Sequence, residues 1–175
     1  ATHLFDLPSG VSIYRVFLLP GCLQFELSVT PASQFGATGP KFWLLFGEAI
    51  HKPFPQPPAA RELFGHAVHH ALRARFCIER ERYRQAEYWI SSTRDVALSL
   101  ACLRRNLPAF HGRGLDDLLP EVHDLFSGAL VTALTRDELS RALRCVIDGL
   151  LTETDEVEEL ALAVKPQLLE LTAEW

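Results

Sequence analysis

Gln85–Arg105, QAEYWISSTRDVALSLACLRR, runs for 21 residues without glycine or proline, so one helix can pass through all of it. Its second half, VALSLACL, is apolar almost all the way round, as in a helix buried on most sides. Its first half is different. Glu87, Ser91 and Arg94 stand at i, i+4 and i+7 and share one face. An acid, a hydroxyl and a base in one stripe fit an ion pair with a neighbouring helix or with solvent. They also fit the wall of a cleft that meets a polar ligand, the less common arrangement. Spacing alone leaves both open.

Outward from this stretch the pattern stays helical. RELFGHAVHHALRARFCIERER predicts a long amphipathic helix from about Ala59 to Glu81, with Leu63, Phe64, Ala67, Ala71, Ala74 and Ile78 as its apolar stripe. A tight joint then makes an αα-hairpin with the Gln85 helix. Pro108 ends that helix, and Pro120 opens a shorter one through Leu134. Thr135 with Glu138 three residues on reads as a capping box before a fourth helix. Thr154, Asp155 and Glu156 open a fifth, acid-led helix in which Pro166 predicts a kink.

Upstream the period changes. VSIYRVFLL and CLQFELSVT, parted by Pro20-Gly21, predict a hairpin over residues 11–30. In its second strand Leu23, Phe25, Leu27 and Val29 share one face, and Gln24, Glu26 and Ser28 the other. Glu26 is thus an acid in mid-strand. Phe42–Gly47, FWLLFG, is a short apolar run consistent with a buried strand. So few strands make only part of a sheet, and further sheet sequence is expected ahead of Ala1. HKPFPQPP, with four prolines in eight residues, is an extended linker over 51–58. The expected architecture is α+β: a partial antiparallel sheet over 1–50, the linker, and an up-and-down helical bundle over 59–175.

An apolar share of 48% suits a globular chain. No apolar run approaches the ~20 residues of a membrane span, and no basic-then-apolar leader opens the sequence, so the expected compartment is the cytoplasm. Cys22, Cys77, Cys102 and Cys145 are far apart in apolar settings, which predicts buried free thiols. Charge is uneven. Residues 61–105 hold nine arginines against five acids, and residues 115–175 hold fourteen acids against four basic groups. A nucleoside triphosphate would be drawn to the first region; the acidic tail argues against general nucleic-acid binding.

Three smaller patterns carry chemistry. His66 and His70, at i, i+4, have a spacing that two metal ligands can use, but no HExxH accompanies them and Cys77 is two turns away. Such histidines more often line a helix face. Arg73 and Arg75 beside them could hold phosphates. Arg105-Asn106 with His111 five residues beyond the Asn is similar to the Arg–Asn–x4–His element of HEPN ribonucleases. That similarity implies a His general acid/base beside a phosphate-holding Arg.

Two longer stretches resemble a second family. LPSGVSIYRVFLLPGCLQFELSVTPASQFGATGPKFWLLFG resembles the later strands of bacterial nucleotidyltransferases of the DNA polymerase beta superfamily. ERERYRQAEYWISSTRDVALSLACL resembles the helical domain that follows in the antibiotic adenylyltransferase-like members. The resemblance implies transfer of a nucleoside monophosphate from a triphosphate to a hydroxyl of a small, aminoglycoside-like acceptor. It implies two Mg²⁺ ions held by three carboxylates. Glu26 stands where the third would be, although the family more often has Asp there. The Gly-Ser helix start and the DxD that supply the other two occur nowhere in the 175 residues. The sequence therefore looks like the back part of such an enzyme, incomplete for catalysis by itself. In that picture the bundle binds the acceptor. Glu87 acts as base or as anchor for a cationic group, Tyr88 and Trp89 stack on a ring or fill the core, and Ser91, Arg94 and Asp95 complete the contact. A metal-independent HEPN-like ribonuclease and a non-catalytic interaction module stay open beside it, as does a homodimer.

Overall fold

The computed structural model describes residues 1–173. The fold is α+β. The chain divides into two compact units, residues 1–56 and residues from 57 onward, and the division falls inside the proline-rich segment. Among the described residues no helix is long and apolar enough to cross a membrane.

The first unit is an antiparallel sheet in the order β1 (Thr2–Ser9), β2 (Ser12–Leu19), β3 (Leu23–Val29). The hairpin expected over 11–30 is β2–β3, and β1 adds a third strand that the sequence reading did not contain. Gly10 and Gly21 take positive φ in the two turns, and Cys22 follows Gly21 at φ 58°. Cys22 is therefore an exposed turn residue, not a buried thiol. Cys77 and Cys102 are buried as expected, Cys145 is half-buried, and all four are free.

Phe42–Gly47 is not a buried strand. Trp43, Leu45 and Phe46 are 82%, 82% and 87% exposed. The backbone turns at Gly39, whose carbonyl accepts from Phe42 N. The run lies in a loop closed at its base, where Ile50 N donates to Phe35 O at 2.8 Å and Lys52 Nζ donates to Gln34 O at 2.9 Å. A Cβ on Gly36 would stand 2.4 Å from Ile50 O, so that closure requires glycine. Composition suited the run to a strand, but a strand also needs a neighbour to pair with.

The second unit has five α-helices among the described residues: α1 (Ala60–Glu79), α2 (Tyr83–Arg104), α3 (Pro120–Ser127), α4 (Arg136–Thr152) and α5 (Glu158–Glu170). α1 and α2 form a hairpin, α4 lies against both, and α3 and α5 pack on α4. Small residues let α1 and α2 approach closely: Ala67, Ala71 and Ala74 on one, Ala86, Ala97 and Ala101 on the other, all wholly buried. Larger side chains fill the rest, with Phe64, Ile90, Leu100, Leu139 and Ile147 removed from solvent. α2 is central to α1 and α4, but α4 touches the most helices.

The joints follow from backbone chemistry. At the end of α1, Arg82 N donates to Cys77 O and Glu81 N to Ile78 O, with Glu81 at φ 56°. This is a Schellman cap made without glycine. The end of α2 repeats it, with Leu107 N on Cys102 O, Asn106 N on Leu103 O, and Asn106 at φ 55°. α3 stops at Ser127 rather than Leu134, because Arg141 captures Gly128 O at 2.7 Å and Leu130 O at 3.2 Å. The predicted capping box is half made. Thr135 Oγ1 accepts from Glu138 N at 3.4 Å, while the Glu138 carboxylate turns to Thr132 and Arg141. Arg141 and the Thr132 donors hold that carboxyl well below the usual carboxylate range. Pro166 lies within α5, which continues past it to Glu170.

Candidate functional site

Glu26 lies in the middle of β3, directly opposite Val16 of β2. Residues paired in this way share a face, so the face that is polar on β3 carries Val16, the one buried apolar side chain of residues 1–56. Glu26 is exposed and accepts a hydrogen bond from Gln24 Nε2. Among the described residues no three His, Cys, Asp or Glu side chains converge on a point that could hold a metal. One exposed carboxylate, partly occupied by an amide, does not fit a Mg²⁺ site, since Mg²⁺ dehydrates reluctantly and needs several oxygens in near-octahedral array. The same absence of a converging set covers His66, His70 and Cys77.

The stripe on α2 is half assembled. Ser91 Oγ donates to Glu87 Oε1 at 2.7 Å. Arg94 instead turns to its neighbour, with Nε and Nη2 on Asp95 Oδ1 at 3.0 and 2.8 Å. Glu87 and Ser91 are half-buried, and between their positions Tyr88 is 60% exposed. Asp95 lines an open cleft of about 420 Å³ with Ser99 and His111, between α2 and the loop that follows it. Glu87, Tyr88 and Ser91 thus make one polar patch with an aromatic surface, and Asp95 with His111 a second.

Beside the first patch lies a cluster that joins residues from both helices of the hairpin. Trp89 packs its ring 5.1 Å from His70 and 6.3 Å from His69, and Tyr88 stands edge-on to it at 5.0 Å. His66 stacks on His70, and the Arg73 guanidinium lies 5.4 Å above the Trp89 ring. Trp89 is thus a packing residue, and the exposed ring is that of Tyr88. His70 Nδ1 and Trp89 Nε1 are buried without hydrogen-bond partners among the described residues. Burial lowers the His70 pKa below its ordinary value, aided by His69 and His66 and opposed by a backbone hydrogen bond with Ser92. The sequence held each of these residues but not their meeting, because α1 and α2 pair across a joint whose geometry sets which turns face each other.

Arg105 is committed elsewhere. Its Nη1 and Nη2 donate to Glu153 Oε2 and Oε1 at 2.7 and 3.1 Å, and Nη1 also to Ala101 O. Glu153 is 3% exposed and accepts from Arg104 as well. A bidentate pair on a buried carboxylate ties the end of α2 to the end of α4. In this structure that guanidinium is therefore engaged by Glu153, not free beside His111.

A cleft of about 520 Å³ in the helical unit is lined by residues that include Arg75, Arg136, Arg141 and Arg144. Arg75 donates to Leu171 O and Arg144 to Thr172 O, both at 2.8 Å. These arginines satisfy the carbonyls that the end of α5 leaves open. Set against known proteins, the chain matches no protein-family model and no curated protein in sequence.

Proposed function

We propose that this chain acts in nucleotidyl transfer of the DNA polymerase beta superfamily type, from a nucleoside triphosphate to a hydroxyl of a small, aminoglycoside-like molecule. The helical unit binds the acceptor. The observation that carries the reading is the Glu87–Ser91 pair beside exposed Tyr88. Ser91 fixes one carboxylate oxygen, and Oε2 accepts no hydrogen bond among the described residues. A carboxylate so oriented suits an ammonium group or an acceptor hydroxyl, and the Tyr88 ring offers a face to a sugar or a cation. The order of an antiparallel sheet with a mid-strand carboxylate, then a helical unit, also agrees with what the sequence resemblance implies.

Glu26 alone makes no Mg²⁺ site, so no transfer step is assigned to these residues; acceptor binding is. The test follows pyrophosphate release with ATP or GTP, Mg²⁺ and a panel of aminoglycosides. The chain alone is expected to give no turnover. Turnover is expected when it is joined to a segment bearing the Gly-Ser helix start and the DxD. Absence of turnover in the joined protein would count against the proposal. Turnover by the chain alone that vanishes in Glu26→Ala would show that its own residues complete the site.

A further inference from the structure

We propose that the cleft at the α1–α2 joint binds a phosphate-bearing small molecule through its phosphate or diphosphate group. The cleft, about 210 Å³, is lined by Arg73, Phe76, Cys77, Arg80, Arg82 and Gln85. No carboxylate lines it. Of the other arginines of the hairpin, Arg75 has Glu79 and Leu171 O, Arg94 has Asp95, and Arg104 and Arg105 have Glu153, whereas Arg61 and Arg84 have no such partner among the described residues. The guanidiniums of Arg73, Arg80 and Arg82 have neither carboxylate nor carbonyl partner among the described residues.

Two of the three are nevertheless held in place. Arg73 lies over the Trp89 ring at 5.4 Å and Arg80 over the Phe76 ring at 6.0 Å. A guanidinium stacked on a ring keeps its donor fork free, and that fork matches a phosphate in bidentate fashion. α2 begins at the same joint, with Arg82 as its N-cap, no side-chain cap bond and no acid in its first turn. The positive end of the helix therefore adds to the arginines and is opposed by nothing of its own. The volume is below the ~300 Å³ at which drug-sized pockets begin, which suits a phosphate or diphosphate group with the rest of the molecule outside.

This site is independent of the transfer reading and is tested without turnover. Calorimetric titrations of the full chain at low ionic strength use inorganic phosphate, pyrophosphate and metal-free ATP in separate arms. Pyrophosphate is expected to bind saturably. ATP binding no tighter than pyrophosphate identifies the phosphates as the recognised group; ATP binding unaffected by loss of the arginines overturns the assignment. Arg80→Gln with Arg82→Gln should weaken pyrophosphate by about tenfold or more. Arg61→Gln with Arg113→Gln removes the same charge outside the cleft and should leave affinity within about twofold. Equal weakening in both double variants, or a response that sodium chloride reproduces, overturns the proposal. Helical circular dichroism checks folding, and Arg73→Gln gives the same reading if the double variant does not fold.

Discussion

The two units are built on opposite terms. The sheet pairs its backbone along three strands, with a register shift between His3 and Phe5 of β1, yet buries one apolar side chain, Val16. The helical unit encloses Phe64, Ile90, Leu100, Leu139 and Leu150 with no exposure beyond 1%. Hydrogen-bond ladders fix the shape of a sheet, but they exchange for bonds to water and add little net stability. Apolar burial drives folding, and here it is concentrated in one unit. Many large apolar residues of the sheet unit are exposed, Phe5, Ile13, Phe25 and Leu27 among them.

Cutting the chain at the boundary gives the largest expected effect. Residues 57–175 should keep a cooperative thermal transition by circular dichroism, and residues 1–56 alone should show none. A cooperative transition in the isolated sheet unit would break the contrast. Next in size is Leu100→Ala, which should lower stability by ~2–5 kcal/mol in denaturant titrations; a loss below ~1 kcal/mol would place α2 at the surface. Glu81→Gly should act in the other direction. Glu81 holds a left-handed conformation at the α1 cap, and glycine there should raise stability by about 1 kcal/mol. The smallest effect concerns pH. His70 has a lowered pKa in the folded chain, chiefly from burial. Its contribution is thus complete above its ordinary value near 6.5 and fades as pH falls through that value. His70→Gln should flatten the decline in stability as pH falls below about 6.5.

The helical unit was the more legible in sequence. The apolar stripe of α1 appears as predicted, and α2 spans the predicted stretch with its ends displaced by a residue or two. Both rest on 3.6-residue periodicity, which a chain carries locally. β1 was missed because THLFDLPS gives little alternation and includes a proline. FWLLFG was misplaced because apolar content does not reveal whether a pairing partner exists. The site divided in the same way. The Glu87–Ser91 contact is an i, i+4 relation and could be read directly. Arg94 was assigned to that stripe but found a nearer carboxylate in Asp95. The Arg105–Glu153 pair spans 48 residues, and the Trp89–His70 packing depends on the register between two helices. Neither leaves a local signature.

The central claim is that α2 presents a carboxylate for a small cationic polyol. The most direct measurement is a calorimetric titration of the full chain with kanamycin, repeated with Glu87→Gln. Saturable binding to the natural chain, weakened about tenfold or more in the variant, is the expected result; no saturable binding, or equal binding by both proteins, would contradict it.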